Sequence, residues 1–342
     1  MGYGKRMKKV FFWLKRTAIG LAGAVLVSIP AGIWLWQDRG SIEDIDLRIA
    51  ETTRVDTNTV TATWLGTTTL LFDDGETQIL IDGFISRPNI LDIIFHQPLA
   101  PDAANINYAM DEFRMRRLAA IIPVHSHHHH AMDVGAIANR SSASIIATNS
   151  TIKIVRNFGV PDDQIIFASN DDSLRFGKFT VTLITSRSAP NSFDDNDLLA
   201  TFIPDSLRQS VACTRWHETD SWSILISHPN GTTLVQGSTN FIEGALAKTK
   251  TDVVMLGVAG LNNKSLQYAK DYWQQVVGQT RAKRVYVIHH DDFTQPFGQT
   301  KLFPNVLDDV VATVQFLNEF ARTGEEQINI QLPSFGQRLV LY

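Results

Sequence analysis

Short apolar runs alternate with turn residues from residue 58 to the end of the chain. Alternating, β-branched positions predict a strand over 58–65, and the turn residues Asp73, Asp74 and Gly75 separate two more strands over 68–72 and 78–81. A short apolar run predicts a buried strand over 119–124. Further strands are predicted over 144–148, 179–185, 222–227, 232–235, 252–257, 284–288, 327–331 and 338–342. Helical spacing of apolar positions predicts helices over 131–139, 151–157, 264–277 and 305–322.

The order of these elements indicates the fold class. Strands and hairpins come first, strands and helices then alternate, and strands return around the turn Pro229-Asn230-Gly231 before the alternation resumes. This order predicts an α/β sandwich of two sheets packed face to face, with helices on the outer faces. A (β/α)₈ barrel would alternate from its first strand, so the order excludes it.

The amino-terminal segment has the pattern of a membrane anchor. Residues 1–16 carry six lysines and arginines and no acid, and residues 17–36 are uncharged and end at Trp34 and Trp36. A run of about 20 uncharged residues spans a bilayer as a helix, and the basic flank stays in the cytoplasm. We therefore predict a cytoplasmic segment (1–16), one transmembrane helix (17–36), a linker (37–57) and a soluble domain (58–342) outside a bacterial-type inner membrane. A cleaved signal peptide and a buried helix are the alternatives.

Composition limits the partners and the metal ligands that the chain can use. The chain has 342 residues and a net charge of −4, so no basic surface field points to nucleic acid, and no nucleic-acid partner is expected. Cys213 is the single cysteine, which excludes an intrachain disulfide and a cysteine-rich zinc site. A transition-metal site in this chain would therefore be built from histidine and carboxylate ligands.

Five of the ten histidines lie within six residues, directly after the predicted buried strand: His125, His127, His128, His129 and His130. Imidazole is a common metal ligand in its neutral form. In an extended segment, side chains at i and i+2 point the same way, so His125 and His127 could grip one ion together. A second pair, His289 and His290, ends the strand over 284–288 and could supply a further ligand.

At these residues the sequence resembles the metallo-β-lactamase superfamily. The run from His125 to His130 resembles the HxHxDH motif, and Ile79–Gly83 resembles the early strand that ends in Asp-Gly. Gly237 and the strand before His289 match in order, so the resemblance covers 58–342. It is nearest to the branch of N-acylphosphatidylethanolamine phospholipase D. The resemblance implies a four-layer αββα sandwich and a hydrolase that uses a metal-bound water on an ester, amide or phosphodiester.

Three positions depart from the family pattern. His129 replaces the aspartate of the motif, Ser188 stands where a mid-chain histidine is usual, and Ser238 replaces the bridging aspartate. Two dications repel strongly when carboxylates are missing, so one zinc per chain is favoured over two, and another divalent transition metal is an alternative. The expected metal ligands are His125, His127, His129, His130 and His289.

Other residues have candidate supporting roles. His129 could be a ligand or a general base, and Asp133 could orient a histidine or cap a helix. Arg87 could hold an anionic group of the substrate, or be a surface residue, and His217 could replace the missing ligand. Further ligands or supports of the ligands are sought among Asp82, Ser188, Ser238, His290, Asp291 and Asp292.

Several functions fit this pattern. The first is a membrane-anchored metal-dependent hydrolase acting on a small-molecule or lipid-like substrate. The apolar run over 90–95 could line a groove for such a substrate or belong to the core. The second is a catalytically degenerate relative that binds a metal or a partner. A redox or sulfur-handling member of the same fold is the third, and a shared fold does not choose among the three.

Overall fold

The computed structural model describes residues 12–15, 17, 28–50, 59–188, 221–324 and 327–342. Residues 28–37 are helical, and no helix within these ranges combines the length and apolar character needed to cross a bilayer. Most of the predicted segments over 1–16 and 17–36 lies outside the described residues, as do His217 and Cys213.

The strands of the described ranges are β1 (Arg48–Ile49), β2 (Thr61–Trp64), β3 (Leu70–Asp73), β4 (Gln78–Ile81), β5 (Leu118–Ile122), β6 (Ser144–Ala147), β7 (Ile165–Phe167), β8 (Ser173–Phe176), β9 (Phe179–Ser186), β10 (Ser221–His228), β11 (Gly231–Gln236), β12 (Val253–Gly257), β13 (Arg284–Ile288), β14 (Asn329–Leu332) and β15 (Arg338–Val340). The α-helices that follow residue 50 are α1 (Ile90–Ile94), α2 (Ala103–Glu112), α3 (His128–Ala131), α4 (Val134–Ser141), α5 (Asn149–Asn157), α6 (Leu266–Trp273) and α7 (Val310–Thr323). Short 3₁₀ turns cover Ile42–Asp44, Asp162–Gln164 and Leu261–Asn263, and a π-helical turn, Gln274–Gly278, extends α6.

The strands form two mixed sheets. One has the order β15-β2-β3-β4-β5-β6-β7, and the other has the order β1-β14-β13-β12-β11-β10-β9-β8. In the first, β4 to β7 are parallel; in the second, β11 to β14 are parallel. The register places Ile81 opposite Ile122 and Gly257 opposite Ile288, so neighbouring parallel strands end side by side.

The packing has four layers. Trp64, Ile122 and Ile288 belong to the core between the two sheets. The neighbouring Ile121 points to the opposite face, where it packs with α2, α4 and α5, because successive side chains of a strand alternate. On the outer face of the second sheet, Leu317 of α7 joins α6 in another buried cluster. The predicted αββα sandwich is confirmed.

The structure adds elements that the apolar pattern did not predict, namely α1, α2, β7 and β8. The run over 90–95 is a short helix whose Leu91 and Ile94 are exposed, so it does not belong to the core. The predicted helix over 131–139 is two helices, and α3 carries His128–His130. Residues 48–49, inside the predicted linker, pair with β14, and Ile45 and Ala50 nearby are buried.

Candidate metal centre

The site lies where parallel strands of both sheets end. Asp82 follows β4, the histidine segment follows β5, and His289 follows β13. Asp82 and His289 both have positive φ, at 57° each, and turn the chain sharply at the strand end. Gly237, after β11, also comes close to the histidine segment, since a Cβ at this residue would lie 2.6 Å from a methyl group of Val124. Only glycine lets the chain pass this close to the segment that leads to His125.

Asp82 is the carboxylate that organises the histidine segment. Its Oδ1 accepts a hydrogen bond from the Val124 amide at 2.7 Å, and its Oδ2 lies 2.7 Å from Nδ1 of His130. The hydroxyl of Thr68 donates to the same oxygen and lies 2.9 Å from Nδ1 of His130. Burial raises the pKa of Asp82 to about 8, against the effect of the Thr68 and Val124 bonds. A cation on the neighbouring histidines would favour the ionised carboxylate.

The histidines form two overlapping groups with the spacing of metal ligands. One group is His125, His127 and His129, and the other is His129, His130 and His289. Within each group the ligand nitrogens lie within 4.8 Å of one another. The structure therefore brings all five predicted metal ligands together, on a strand end, one helical turn and a second strand end.

Four of the five imidazoles, those of His125, His129, His130 and His289, have pKa values below the usual range, which favours the neutral form at neutral pH. Burial lowers the pKa of His289 to about 4 and that of His128 to about 3. Burial and the neighbouring imidazoles hold the pKa values of His125, His129 and His130 well below the usual range. A neutral imidazole has a free lone pair, which is the form that binds a metal ion.

The donor atoms fit a metal ion. Nδ1 of His129, Nε2 of His130 and Nδ1 of His289 are buried and have no hydrogen-bond partner among the described residues. Buried polar atoms in native proteins are nearly always satisfied, so three unsatisfied nitrogens in one cluster need a common explanation. A soft or borderline divalent cation satisfies such a set, and the ring of Phe293, stacked 5.0 Å from that of His129, fixes one of the rings.

A pocket of about 330 Å³ opens onto the cluster. Ser188, Ser238, Phe293, Phe303 and Asp308 are among its other lining residues. Two of the predicted positions, Ser188 and Ser238, thus lie on the pocket wall. The site opens to a space that can take a small molecule or part of a larger one.

Asp133 lies beside the cluster without contacting a histidine. Its Oδ2 accepts from the backbone amides of Ile85 and Ser86, each at 2.7 Å, and its Oδ1 accepts from the Ser86 hydroxyl at 2.6 Å. Although Asp133 precedes α4, its side chain makes no capping bond. Both predicted roles, orienting a histidine and capping the helix, are therefore replaced by a third, which is to hold the chain after β4.

The other candidates after β13 have partners outside the histidine cluster. His290 stacks on Trp64 at 4.6 Å. Asp291 forms a buried ion pair with Arg87 at 2.9 Å. Burial by itself would raise the pKa of the Asp291 carboxyl, but the guanidinium of Arg87 helps to hold this pKa below its usual value. Asp292 pairs with Arg39 at 2.6 Å. Both aspartates are thus paired with arginines, and Arg87 is buried rather than a surface residue.

Sequence reasoning missed three residues of the site. Thr68 contacts both Asp82 and His130, Phe293 stacks on His129, and Asp308 lies in the pocket wall. The position of Phe293, four residues after His289, was the only local signal for any of them. The contacts of Thr68 and Asp308 with the rest of the site depend on the tertiary fold.

Comparison with known proteins agrees with this arrangement at the level of the fold. No protein-family model matches the chain, and no curated protein matches its sequence. A solved structure described as a possible metal-dependent hydrolase from Veillonella parvula is similar, with 14% identity, 83% of this chain and 100% of that chain covered, and a TM-score of 0.52. An isothiocyanate hydrolase from Delia radicum gut bacteria has 14% identity, coverage of 82% and 98%, and a TM-score of 0.52.

A third similar structure carries different chemistry. CmlA, a diiron β-hydroxylase from Streptomyces venezuelae, has 12% identity and a TM-score of 0.50, with 83% of this chain and 54% of that chain covered. At such identities the likeness concerns the fold alone. Together with the two mixed sheets and the outer helices, these structures show that the chain shares their α/β fold.

Proposed function

We propose that the protein is a metal-dependent hydrolase that holds one divalent transition-metal ion, most suitably zinc, in its histidine cluster. The observation that carries the proposal is the convergence of five histidines, three of them buried, on one pocket, with ring nitrogens of His129, His130 and His289 unsatisfied among the described residues. The fold shared with metal-dependent hydrolases supports the reaction class.

The overlap of the two ligand groups supports one ion rather than two. His129 belongs to both groups, and a neutral imidazole has a single lone pair. Two ions would compete for this ring, and Asp82 is the only carboxylate that the structure places in hydrogen-bond contact with the cluster within the described residues. Two dications a few ångströms apart would therefore repel with little compensation.

Of the two groups, His129, His130 and His289 are the better prepared to hold the ion. Each of the three presents an unsatisfied nitrogen. Asp82 holds Nδ1 of His130, so Nε2 of this ring keeps the lone pair that can bind the ion. In the other group, Nε2 of His125 and Nδ1 of His127 lie 3.1 Å apart and hydrogen-bond to each other.

A bound zinc would activate a water molecule and polarise a carbonyl or phosphoryl oxygen. The residues of the chain hold the ion, orient its ligands and line the pocket for the substrate. Asp82 and Thr68 fix the tautomer of His130, and Phe293 fixes the ring of His129, which we assign as a ligand rather than a general base. Ser188 and Ser238 offer polar groups on the pocket wall for an ester, amide or phosphodiester.

Hydrolysis of generic substrates tests the reaction class. The full-length protein should hydrolyse at least one of p-nitrophenyl acetate, bis(p-nitrophenyl) phosphate and a lactone, and the activity should disappear with a chelator and return with zinc. His129→Ala should abolish it, whereas His96→Ala, which changes an exposed histidine outside the cluster, should not. Equal activity of the two variants would contradict the proposal.

Paired variants test the choice of ligands. His130→Ala with His289→Ala should remove the bound metal, and His125→Ala with His127→Ala should retain most of it. Elemental analysis of each purified variant gives the number of metal ions per chain. The opposite pattern would assign the ion to the other group.

A degenerate binding protein is the second candidate, and the histidine at position 129 favours it. The family pattern has a carboxylate there, and its loss removes a group that orients the attacking water. A protein that holds one zinc but hydrolyses none of the three substrate classes, with or without added metal, would support this alternative.

We also propose that residues 17–36 anchor the protein in a bacterial-type inner membrane, with the domain outside. The basic flank and the uncharged run support this. Just after this segment, Arg39 contacts Asp292 and the carbonyl oxygen of Leu302, next to the pocket residues Phe293 and Phe303. An anchor fixed at this wall would bring the pocket near the membrane, which suits a lipid-like substrate.

The orientation can be measured with reporters fused after Tyr342. Alkaline phosphatase, which is active only outside the cytoplasm, should be active in this fusion, and a fluorescent protein that matures only in the cytoplasm should be dark. The reverse result would refute the proposed topology.

A further inference from the structure

One carboxylate in the pocket has no explanation in the metal site. Asp308 lines the same pocket as the histidines and is 5% exposed. Its Oδ2 accepts a hydrogen bond from the Gly260 amide at 2.8 Å. Its Oδ1 is buried and has no partner among the described residues.

The surroundings leave the charge of Asp308 unbalanced. Lys264 lines the same pocket, but no basic side chain of the described residues forms an ion pair with Asp308, and Asp309, which follows it, adds a second negative charge nearby. Leaving a carboxylate oxygen buried and unsatisfied costs stability. The local structure does not need this oxygen, because Asp309 caps α7 by accepting from the Ala312 amide, and the Oδ2 of Asp308 alone serves Gly260.

We propose that Asp308 is a specificity-determining residue that binds a positively charged N–H donor of the substrate, such as a protonated amine. A cation would satisfy both the free oxygen and the unbalanced charge, whereas an anionic group would add repulsion. The inference rests on the proposed function, since it takes the pocket as the substrate site.

A set of matched probes tests the inference on the full-length protein. Butylammonium, butan-1-ol and butyrate have the same chain and differ in charge at one end. Isothermal titration calorimetry should show that butylammonium binds at least about tenfold more tightly than butan-1-ol, as expected when a buried charge gains a partner. Butyrate, whose carboxylate can also bind a metal ion, should bind more weakly than either in the metal-free His129→Ala protein.

The variant Asp308→Asn keeps an oxygen for the Gly260 amide and removes the charge. It should bind butylammonium and butan-1-ol equally well, with a cooperative unfolding transition as evidence that it folds. The matched control is Asp111→Asn, which changes an exposed carboxylate and should keep the tenfold preference. Wild-type protein without the preference, or Asp308→Asn that retains it, would overturn the inference.

The result can be separated from the fate of the hydrolase proposal. His129→Ala should lose the metal, yet it should keep the preference for butylammonium, because Asp308 does not contact the histidines. A preference that is present without any hydrolysis supports cation recognition by Asp308 and counts only against the reaction class. A preference lost in His129→Ala would show that the metal centre, not Asp308, selects the probe, and would overturn the inference.

Discussion

Replacing Asp82 with asparagine tests how this carboxylate prepares His130 for a metal ion. The asparagine oxygen can still accept from the Val124 amide, which lies 2.7 Å from Oδ1. Its amide nitrogen, however, would face Nδ1 of His130 and the hydroxyl of Thr68 as a donor. Nδ1 must then accept, so the proton moves to Nε2, and the nitrogen that we assign to the ion loses its lone pair.

The expected cost follows from this change of tautomer. Loss of a carboxylate that orients a histidine ligand weakens metal affinity by about 10- to 100-fold, or about 1.4–2.8 kcal/mol. Competition with a chromogenic zinc chelator at pH 7 measures the affinity. Circular dichroism and the unfolding midpoint of the metal-free protein show whether the variant is folded.

A matched control separates this effect from the loss of a buried carboxylate as such. Asp133→Asn also changes a fully buried aspartate, but this residue bonds to Ile85 and Ser86 and not to a histidine. It should lower the free energy of unfolding and leave the zinc affinity within about threefold, a difference of about 0.7 kcal/mol. A folded Asp82→Asn protein with wild-type zinc affinity would refute the assigned role of Asp82.

Three further predictions concern the pocket and its wall. Burial raises the pKa of Asp308 from 3.8 to about 6, so its contribution to stability is complete below pH 3.8 and is lost as the pH rises through 6. In urea denaturation, the free energy of unfolding of Asp308→Asn should therefore rise relative to that of the wild type by roughly 2 kcal/mol between pH 4 and pH 7. A difference between the two proteins that stays constant over this pH range would refute this. His129→Asp with Ser188→His should raise the metal content from about one ion to about two by elemental analysis, because a carboxylate offsets the repulsion and an imidazole adds a donor; no rise would mean that Ser188 is misplaced as a ligand position. Arg39→Ala should lower the free energy of unfolding by about 1–3 kcal/mol, because it removes the partner of the buried Asp292, and an unchanged midpoint in urea would contradict the importance of that pair.

Much of the fold could be predicted from the sequence, because the strands have strong local signals. The strand Arg284–Ile288, in which an apolar run follows Arg284, has the predicted bounds. The short helices were missed because their apolar faces are small: α1 buries none of its residues, and α2 buries Ile106 and Ala109. Their capping residues, Asn89 and Asp102, were the signals available in the sequence.

The candidate site was predicted only where its residues are close in sequence. The density of histidines after a buried strand indicates a metal site without further information. The pairing of Asp291 with Arg87 and of Asp292 with Arg39 joins residues more than 200 positions apart, so sequence spacing could not show that these carboxylates were already occupied. The same is true of Asp308, whose partner Gly260 lies in another loop.

The central claim is that the histidine cluster is a metal centre for one ion. Elemental analysis of the full-length protein, purified without a histidine tag, tests it most directly when the metal is measured per mole of chain. The account predicts about one transition-metal ion per chain, zinc in the first place, and none in His129→Ala. No bound metal, or two ions that resist dialysis, would contradict it.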